Sequence, residues 1–184
     1  MNCILVIRHA EKPDGTNSGV DETGTADDES LIVRGWQRAG ALAIFFGATG
    51  GLNAPDRIYA SASEKLKMPE GKAGSNSERP GQTVSPLASK IAKTVIDKFT
   101  NGQEADLVNE ITGLPGTTLV CWQHEAIPAI AQAILGTATG IPDPWPSDRF
   151  DVVWRFGRDD SSQPWAFDQV CQNLLSGDQA NLIT

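Results

Sequence analysis

Short apolar runs alternate with stretches of helical periodicity along this chain, and that rhythm predicts an α/β fold. Cys3–Ile7 is a continuous apolar run of the kind a buried parallel strand carries. Residues 14–30 are rich in Asp, Gly, Thr and Ser without periodicity and read as a loop. Ser30 can cap a helix running through Phe46, because Ile32, Trp36, Ala39, Ala43 and Phe46 fall at helical spacing. Gly47 and the pair Gly50-Gly51 end it. Arg57–Ser61 is a second strand. Residues 62–78 are polar, carry Lys65, Lys67 and Lys72, and read as a long loop. Pro80 suits the first turn of a helix that Pro86 should break or kink. Leu87, Ile91 and Val95 continue its apolar face. Leu119–Trp122 is a third strand, and Pro128 opens a helix over Ile127–Leu135 that Gly136 closes. Phe150–Phe156 and Trp165–Val170 read as two late strands joined by a polar turn. No internal repeat or linker interrupts the pattern, so residues 1–184 are expected to form one domain with a loop insertion at 62–78.

Composition narrows the function. A chain of 184 residues that is 40% hydrophobic and 21% charged is an ordinary globular protein. Its net charge of -8 argues against nucleic acid or an anionic membrane as partner, since either would need a basic face. Phosphate can still bind where local cations overcome the overall field. The first apolar run is too short for a signal peptide, and no stretch is long enough to span a membrane. The three cysteines form neither a disulfide framework nor a metal-ligand pattern, and Cys3 and Cys121 read as small buried hydrophobes. A cytoplasmic setting and no cofactor are expected.

The chain has only two histidines. His9 ends the first apolar run in Arg8-His9-Ala10-Glu11-Lys12, and His124 follows the third strand in Gln123-His124-Glu125. Ligands of open α/β sheets bind beyond the carboxyl ends of strands, where both should lie. A phosphoryl group needs several fixed donors, and arginine's planar fork holds two oxygens at once. At an effective dielectric of about 20 one charge pair at roughly 4 Å is worth about 4 kcal/mol, so a convincing trap needs several cations together. The plain alternative for each histidine is a satisfied residue at a strand-to-loop junction.

Further motifs tip that balance. Leu31, Gly35, Arg38 and Ala39 match a Leu-x-x-x-Gly-x-x-(Gln/Arg)-Ala stretch. Ile58-Tyr59-Ala60-Ser61 followed by Arg79-Pro80-Gly81-Gln82-Thr83 matches a strand ending in Ser, then Arg with a Gln-Thr pair. Together with Arg8-His9 and His124 these resemble the histidine phosphatase superfamily, which contains phosphoglycerate mutases and acid phosphatases. The resemblance implies a three-layer α/β/α sandwich of the phosphoglycerate mutase type, with a mostly parallel sheet and an antiparallel edge. It also implies a phosphatase that phosphorylates His9, with Arg8, Arg79 and His124 holding the phosphoryl group. Arg57, which precedes its strand, should point away from the site.

Several features depart from the family pattern. Ala10 replaces the glycine that usually follows Arg-His. The mutase signature around a proton-donating glutamate is missing, so a phosphomutase is the less favoured reading. Glu125 takes the place of the Asp that follows the second histidine in acid phosphatases and phytases, and is the first candidate for general acid. Glu110, Asp106 and Glu11 stay open as alternatives. Lys12, Ser61 and Lys65 are candidates for substrate contact, and the substrate is expected to be a phosphorylated small molecule or phosphoprotein. Two rival classes remain. One is a metal hydrolase on His9 and His124, where Arg8 would repel the cation. The other is a catalytically silent phospho-ligand binder. Gly-Ala-Thr-Gly-Gly at 47–51 follows a helix rather than a strand and is a poor dinucleotide loop.

Overall fold

The computed structural model describes residues 2–47, 52–63 and 75–184. Six strands make one sheet: β1 (Asn2–Arg8), β2 (Arg57–Ala60), β3 (Val95–Ile96), β4 (Thr117–Trp122), β5 (Val152–Arg158) and β6 (Ala166–Cys171), in the order β3-β2-β4-β1-β5-β6. β3, β2, β4 and β1 run parallel, and β5 and β6 add an antiparallel edge. Helices α1 (Val33–Phe45) and α2 (Arg79–Lys90) cover one face, where Leu5, Ile7, Leu119 and Val153 pack against Leu42, Phe46, Val84 and Leu87. Helices α3 (Glu104–Ile111) and α4 (Ile127–Leu135) cover the other, where Ile4, Val6, Val120, Trp122 and Trp154 meet Leu107, Ile111, Ile130 and Ile134. Side chains alternate between the faces along each strand, so the unbroken apolar runs of β1 and β4 feed both layers. The result is the three-layer α/β/α sandwich expected.

The differences from expectation are local and have physical causes. Ser30 does not cap α1. Its hydroxyl donates to Asp27 Oδ2 and accepts from Gln82 Nε2 (2.7 Å), and the helix starts three residues later with Ile32 as an uncapped N-terminal flank. Pro86 does not end α2, which continues to Lys90. A proline leaves the carbonyl four residues back without its donor. That carbonyl, on Gln82, accepts the Ser85 hydroxyl at 3.2 Å instead. The apolar face of Leu87 and Ile91 does not extend to Val95, which sits in the two-residue edge strand β3 paired with Ile58. α3, over Glu104–Ile111, was not signalled by the pattern read above. The helix over Ile127–Leu135 ends as expected, with Gly136 left-handed at φ 69°. The long loop at 62–78, with Lys65, Lys67 and Lys72, is described only at 62–63 and 75–78, and Gly50-Gly51 also lie outside the described residues.

Candidate active site

Three adjacent parallel strands bring their carboxyl ends together. β1 and β4 are in register with Arg8 beside Trp122, and the His9 N–H extends that ladder by donating to the Trp122 carbonyl at 3.0 Å. The Ser61 N–H does the same from β2, donating to the Cys121 carbonyl at 3.1 Å. Ser61, His124 and the pair Arg8-His9 therefore stand side by side along one edge of the sheet. The Ala10 N–H donates to Thr83 Oγ1 (2.8 Å), and that hydroxyl donates to the Arg79 carbonyl (2.7 Å). The first turn of α2 is thereby stitched to the loop after β1, which brings Arg79 to the same edge. Gln82 completes the joint: its Oε1 accepts the Leu31 N–H at 2.9 Å.

His9 is 3% exposed. Its Nδ1 lies 2.7 Å from the Ala10 carbonyl. A carbonyl can only accept, so Nδ1 carries the proton and the lone pair sits on Nε2. Burial first, then the charges of Arg8, Arg79 and Lys12, push the imidazole down to about 3 against the favouring contact with Ala10. The ring is neutral at physiological pH, as a nitrogen nucleophile must be.

Arg8 is 1% exposed, and a loop between α4 and β5 grips one side of it. Its Nη1 donates to the carbonyls of Ser147 (2.6 Å), Arg149 (3.2 Å) and Pro146 (3.4 Å), and its guanidinium carbon lies 3.8 Å from the centre of the Phe150 ring. The Nε and Nη2 are buried with no partner among the described residues. These two nitrogens are the side-on fork that binds an oxyanion at two oxygens. Leaving buried charged donors unmade costs free energy, which an oxyanion placed against this edge would recover. Arg79 is arranged alike: Nη1 donates to the Asp28 carbonyl at 2.9 Å, Nη2 is 3.8 Å from Glu29, and Nε is buried with no partner among the described residues. Burial lowers the pKa of both, Arg8 to about 10, and both remain charged.

His124 is buried and its pKa is lowered by burial, then by Arg8 and Lys12, with Glu125 opposing. Its Nδ1 lies 2.9 Å from Glu125 Oε2, without the alignment of a hydrogen bond. The Glu125 side chain is 68% exposed. Its charge is felt at Arg8, Arg79 and His124 together, which puts it at the mouth of the cation cluster.

The other carboxylates are engaged elsewhere. Glu110 accepts from the Tyr59 hydroxyl (2.6 Å) and pairs with Lys98 (2.5 Å); those two partners hold it below its ordinary range. Asp106 is exposed in the first turn of α3. The oxygens of Glu11 are taken by Arg34 and Arg38. Arg57 binds the Pro115 carbonyl and Thr118 at the opposite, amino end of β4. Lys12 lines a cleft of about 850 Å³ beside the site, with Pro13, Ile32, Val33, Asp148 and Phe150. A second cavity of about 460 Å³ lies beside Cys3, Leu5, Arg155 and Phe167, toward the amino end of β1. Ser61 is buried and accepts from Gln123 Nε2 at 3.0 Å. Lys65 lies outside the described residues. Among the described residues, no three of His, Cys, Asp and Glu gather as metal ligands, and no helix is long and apolar enough to cross a membrane.

The sequence reading did not find Phe150, the carbonyls of 146–149 or Thr83 as parts of the site. Thr83 was visible only through the Gln-Thr pair, and backbone carbonyls leave no residue signature.

No protein-family model and no curated protein matches the sequence. Solved structures do match its fold. The protein histidine phosphatase SixA in complex with tungstate superposes with a TM-score of 0.59 at 12% identity, over 92% of this chain and 97% of that one. Phosphoserine phosphatase from Entamoeba histolytica, in complex with 3-phosphoglyceric acid, gives 0.55 at 16% identity, over 95% and 100%. A mycobacterial glucosyl-3-phosphoglycerate phosphatase gives 0.50 at 13% identity, over 90% and 96%. The chain shares the fold of these phosphatases.

Proposed function

We propose that this protein is a phosphomonoester hydrolase of the histidine phosphatase superfamily that works through a phosphohistidine on His9. The observation that carries the reading is the pairing of a neutral imidazole, whose free lone pair is on Nε2, with the unpartnered Nε–Nη2 fork of Arg8 in the adjacent residue. A nucleophile and an empty oxyanion fork at one strand end are what phosphoryl transfer needs, since catalysis there is mostly positioning and charge stabilisation. The fold-mates reported above, a protein histidine phosphatase, a phosphoserine phosphatase and a glucosyl-3-phosphoglycerate phosphatase, support the same class.

In the first step His9 Nε2 attacks phosphorus in line, and the bond from phosphorus to the leaving oxygen breaks. Arg8, Arg79 and His124 hold the equatorial oxygens, and Glu125 hands a proton to the departing oxygen. In the second step Glu125, now a carboxylate, takes a proton from the water that attacks the phosphohistidine; the P–N bond breaks, and inorganic phosphate leaves with His9 and the Glu125 carboxyl restored. The substrate is a phosphorylated small molecule or phosphoprotein whose remainder lies toward Lys12 and the cleft. Replacing His9 by Ala tests the assignment: turnover of an aryl phosphate should fall by several orders of magnitude with phosphate binding retained, as expected for loss of a nucleophile. Turnover that survives in H9A would overturn it, and so would activity lost to a chelator and restored by zinc or manganese.

A further inference from the structure

Next to the nucleophile lies a second charged cluster that the reaction does not touch. Arg38 of α1 is 2% exposed. Its Nε donates to both Glu11 oxygens at 3.1 Å, and its Nη2 donates to Glu11 Oε1 at 2.8 Å. The other side of the same guanidinium grips the C-terminal segment. Nη2 donates to Asp178 Oδ1 (2.7 Å), and Nη1 to Asp178 Oδ2 (3.1 Å) and Gln172 Oε1 (3.0 Å). Asp178 Oδ2 also accepts the N–H groups of Leu174 (2.8 Å) and Leu175 (3.0 Å). Arg34 adds a contact to Glu11 at 3.1 Å and one to the Ser176 carbonyl at 2.7 Å. Burial disfavours the charge on Asp178, but Arg38 and the two amides outweigh it and hold the carboxyl at about 2.

Glu11 is the residue after Ala10, and the Ala10 carbonyl is the acceptor that fixes the proton on His9 Nδ1. The Glu11 carbonyl accepts the Ile32 N–H at 3.1 Å, and a Cβ on Gly35 would stand 2.6 Å from that oxygen. The peptide carrying the Ala10 carbonyl therefore lies between two held points: the preceding Ala10 N–H, bound to Thr83, and the following residue Glu11, which α1 and the C-terminal segment hold in place. Buried ion pairs contribute little net stability, so a fully satisfied one linking three chain segments is better explained by what it orients.

We propose that Arg38 and Asp178 are positioning residues for the nucleophile: through Glu11 they keep the Ala10 carbonyl aimed at His9 Nδ1 and so keep the lone pair on Nε2. This rests on the reading of His9 given above. The C-terminal segment 172–179 thereby becomes part of the catalytic architecture without touching substrate. Outer partners that orient a functional histidine are commonly worth about 10–100-fold.

The test uses D178N and R38K, which keep side-chain volume near native but remove the charge or the fork. Nitrogen-15 NMR of the two histidines in the free protein reports which ring nitrogen carries the proton. The expected result is a single Nδ1–H tautomer for His9 in the unaltered protein and a mixture with Nε2–H in the variants. kcat should fall about 10–100-fold, while inhibition by inorganic phosphate stays unchanged. An Nε2–H tautomer in the unaltered protein overturns the proposal even if neither variant folds. Folded variants with unchanged kcat and tautomer overturn it too, as does a parallel loss of kcat and phosphate inhibition. The tautomer is read without substrate, so this outcome is independent of whether His9 accepts a phosphoryl group.

Discussion

Replacing Arg8 by Lys should weaken phosphate binding by orders of magnitude while leaving the fold intact. The structure separates the two jobs of this guanidinium. Nη1 is spent on the carbonyls of Pro146, Ser147 and Arg149, while Nε and Nη2 have no partner among the described residues. A lysine ammonium has three donors and no second edge. Drawn to the three carbonyls, it would satisfy them and present nothing to an oxyanion. Two charge-assisted hydrogen bonds are then lost at roughly 1.5–3 kcal/mol each, or about 3–6 kcal/mol together. Every 1.4 kcal/mol is about tenfold, so affinity for inorganic phosphate should drop by roughly 10²–10⁴. Thermal unfolding without phosphate should be no lower in R8K, because the buried unpaired fork has been removed. Titration calorimetry with phosphate, and the rise of Tm with phosphate concentration, measure the two halves separately. A variant that binds phosphate like the unaltered protein would show that the fork of Arg8 does not face the ligand.

Three further outcomes follow from the same geometry. In G35A, the new Cβ would meet the Glu11 carbonyl at 2.6 Å and its nitrogen at 3.2 Å, so α1 must retreat at a cost of about 1–3 kcal/mol in denaturant unfolding; no loss would refute the close approach. His9 sits at about 3 in the fold against an ordinary 6.5, so between those values the unfolded chain binds a proton that the folded chain refuses. Stability must therefore fall as pH drops from 6.5 toward 3, and Asp178, at about 2 against 3.8, adds a loss that completes only as pH falls through 2. Urea midpoints at pH 7 and pH 5 should differ, and H9Q should shrink the difference; equal midpoints would contradict the burial of a neutral His9. Finally, E125Q should slow alkyl phosphates by up to about 10²–10⁴ while sparing aryl phosphates, whose leaving oxygen needs little help; a uniform loss would make Glu125 a phosphate-positioning residue instead.

Much of this was legible in the chain because the sheet is buried on both faces. Strands such as Cys3–Ile7 and Leu119–Trp122 then read as unbroken apolar runs, and the residues just past them fall at the ligand-binding edge. Local signals failed where a distant partner decided the outcome. Ser30 would be a good helix cap in isolation, but Asp27 and Gln82 claim its hydroxyl. Pro86 would break an isolated helix, but Ser85 answers the carbonyl it orphans. Two-residue β3 is too short to show a period. In the site, Arg8-His9 announced itself, while its support did not: the carbonyls that hold Arg8 lie 138 to 141 positions away and could come from any residue type. Glu11 reads as a candidate acid from its place beside His9, and only the fold reveals Arg38 and Asp178 around it.

Turnover through His9 requires a covalent phosphoryl group on its Nε2. The most direct measurement is to quench the enzyme during turnover of a ³²P-labelled aryl phosphate, or with a slowly hydrolysed one, and map the label. The expected product is an acid-labile, base-stable phosphohistidine on the peptide containing Arg8-His9-Ala10, bonded through Nε2 and lost in H9A. Label on His124 or bonded through His9 Nδ1, or full turnover with no phosphoenzyme at any quench time, would contradict it.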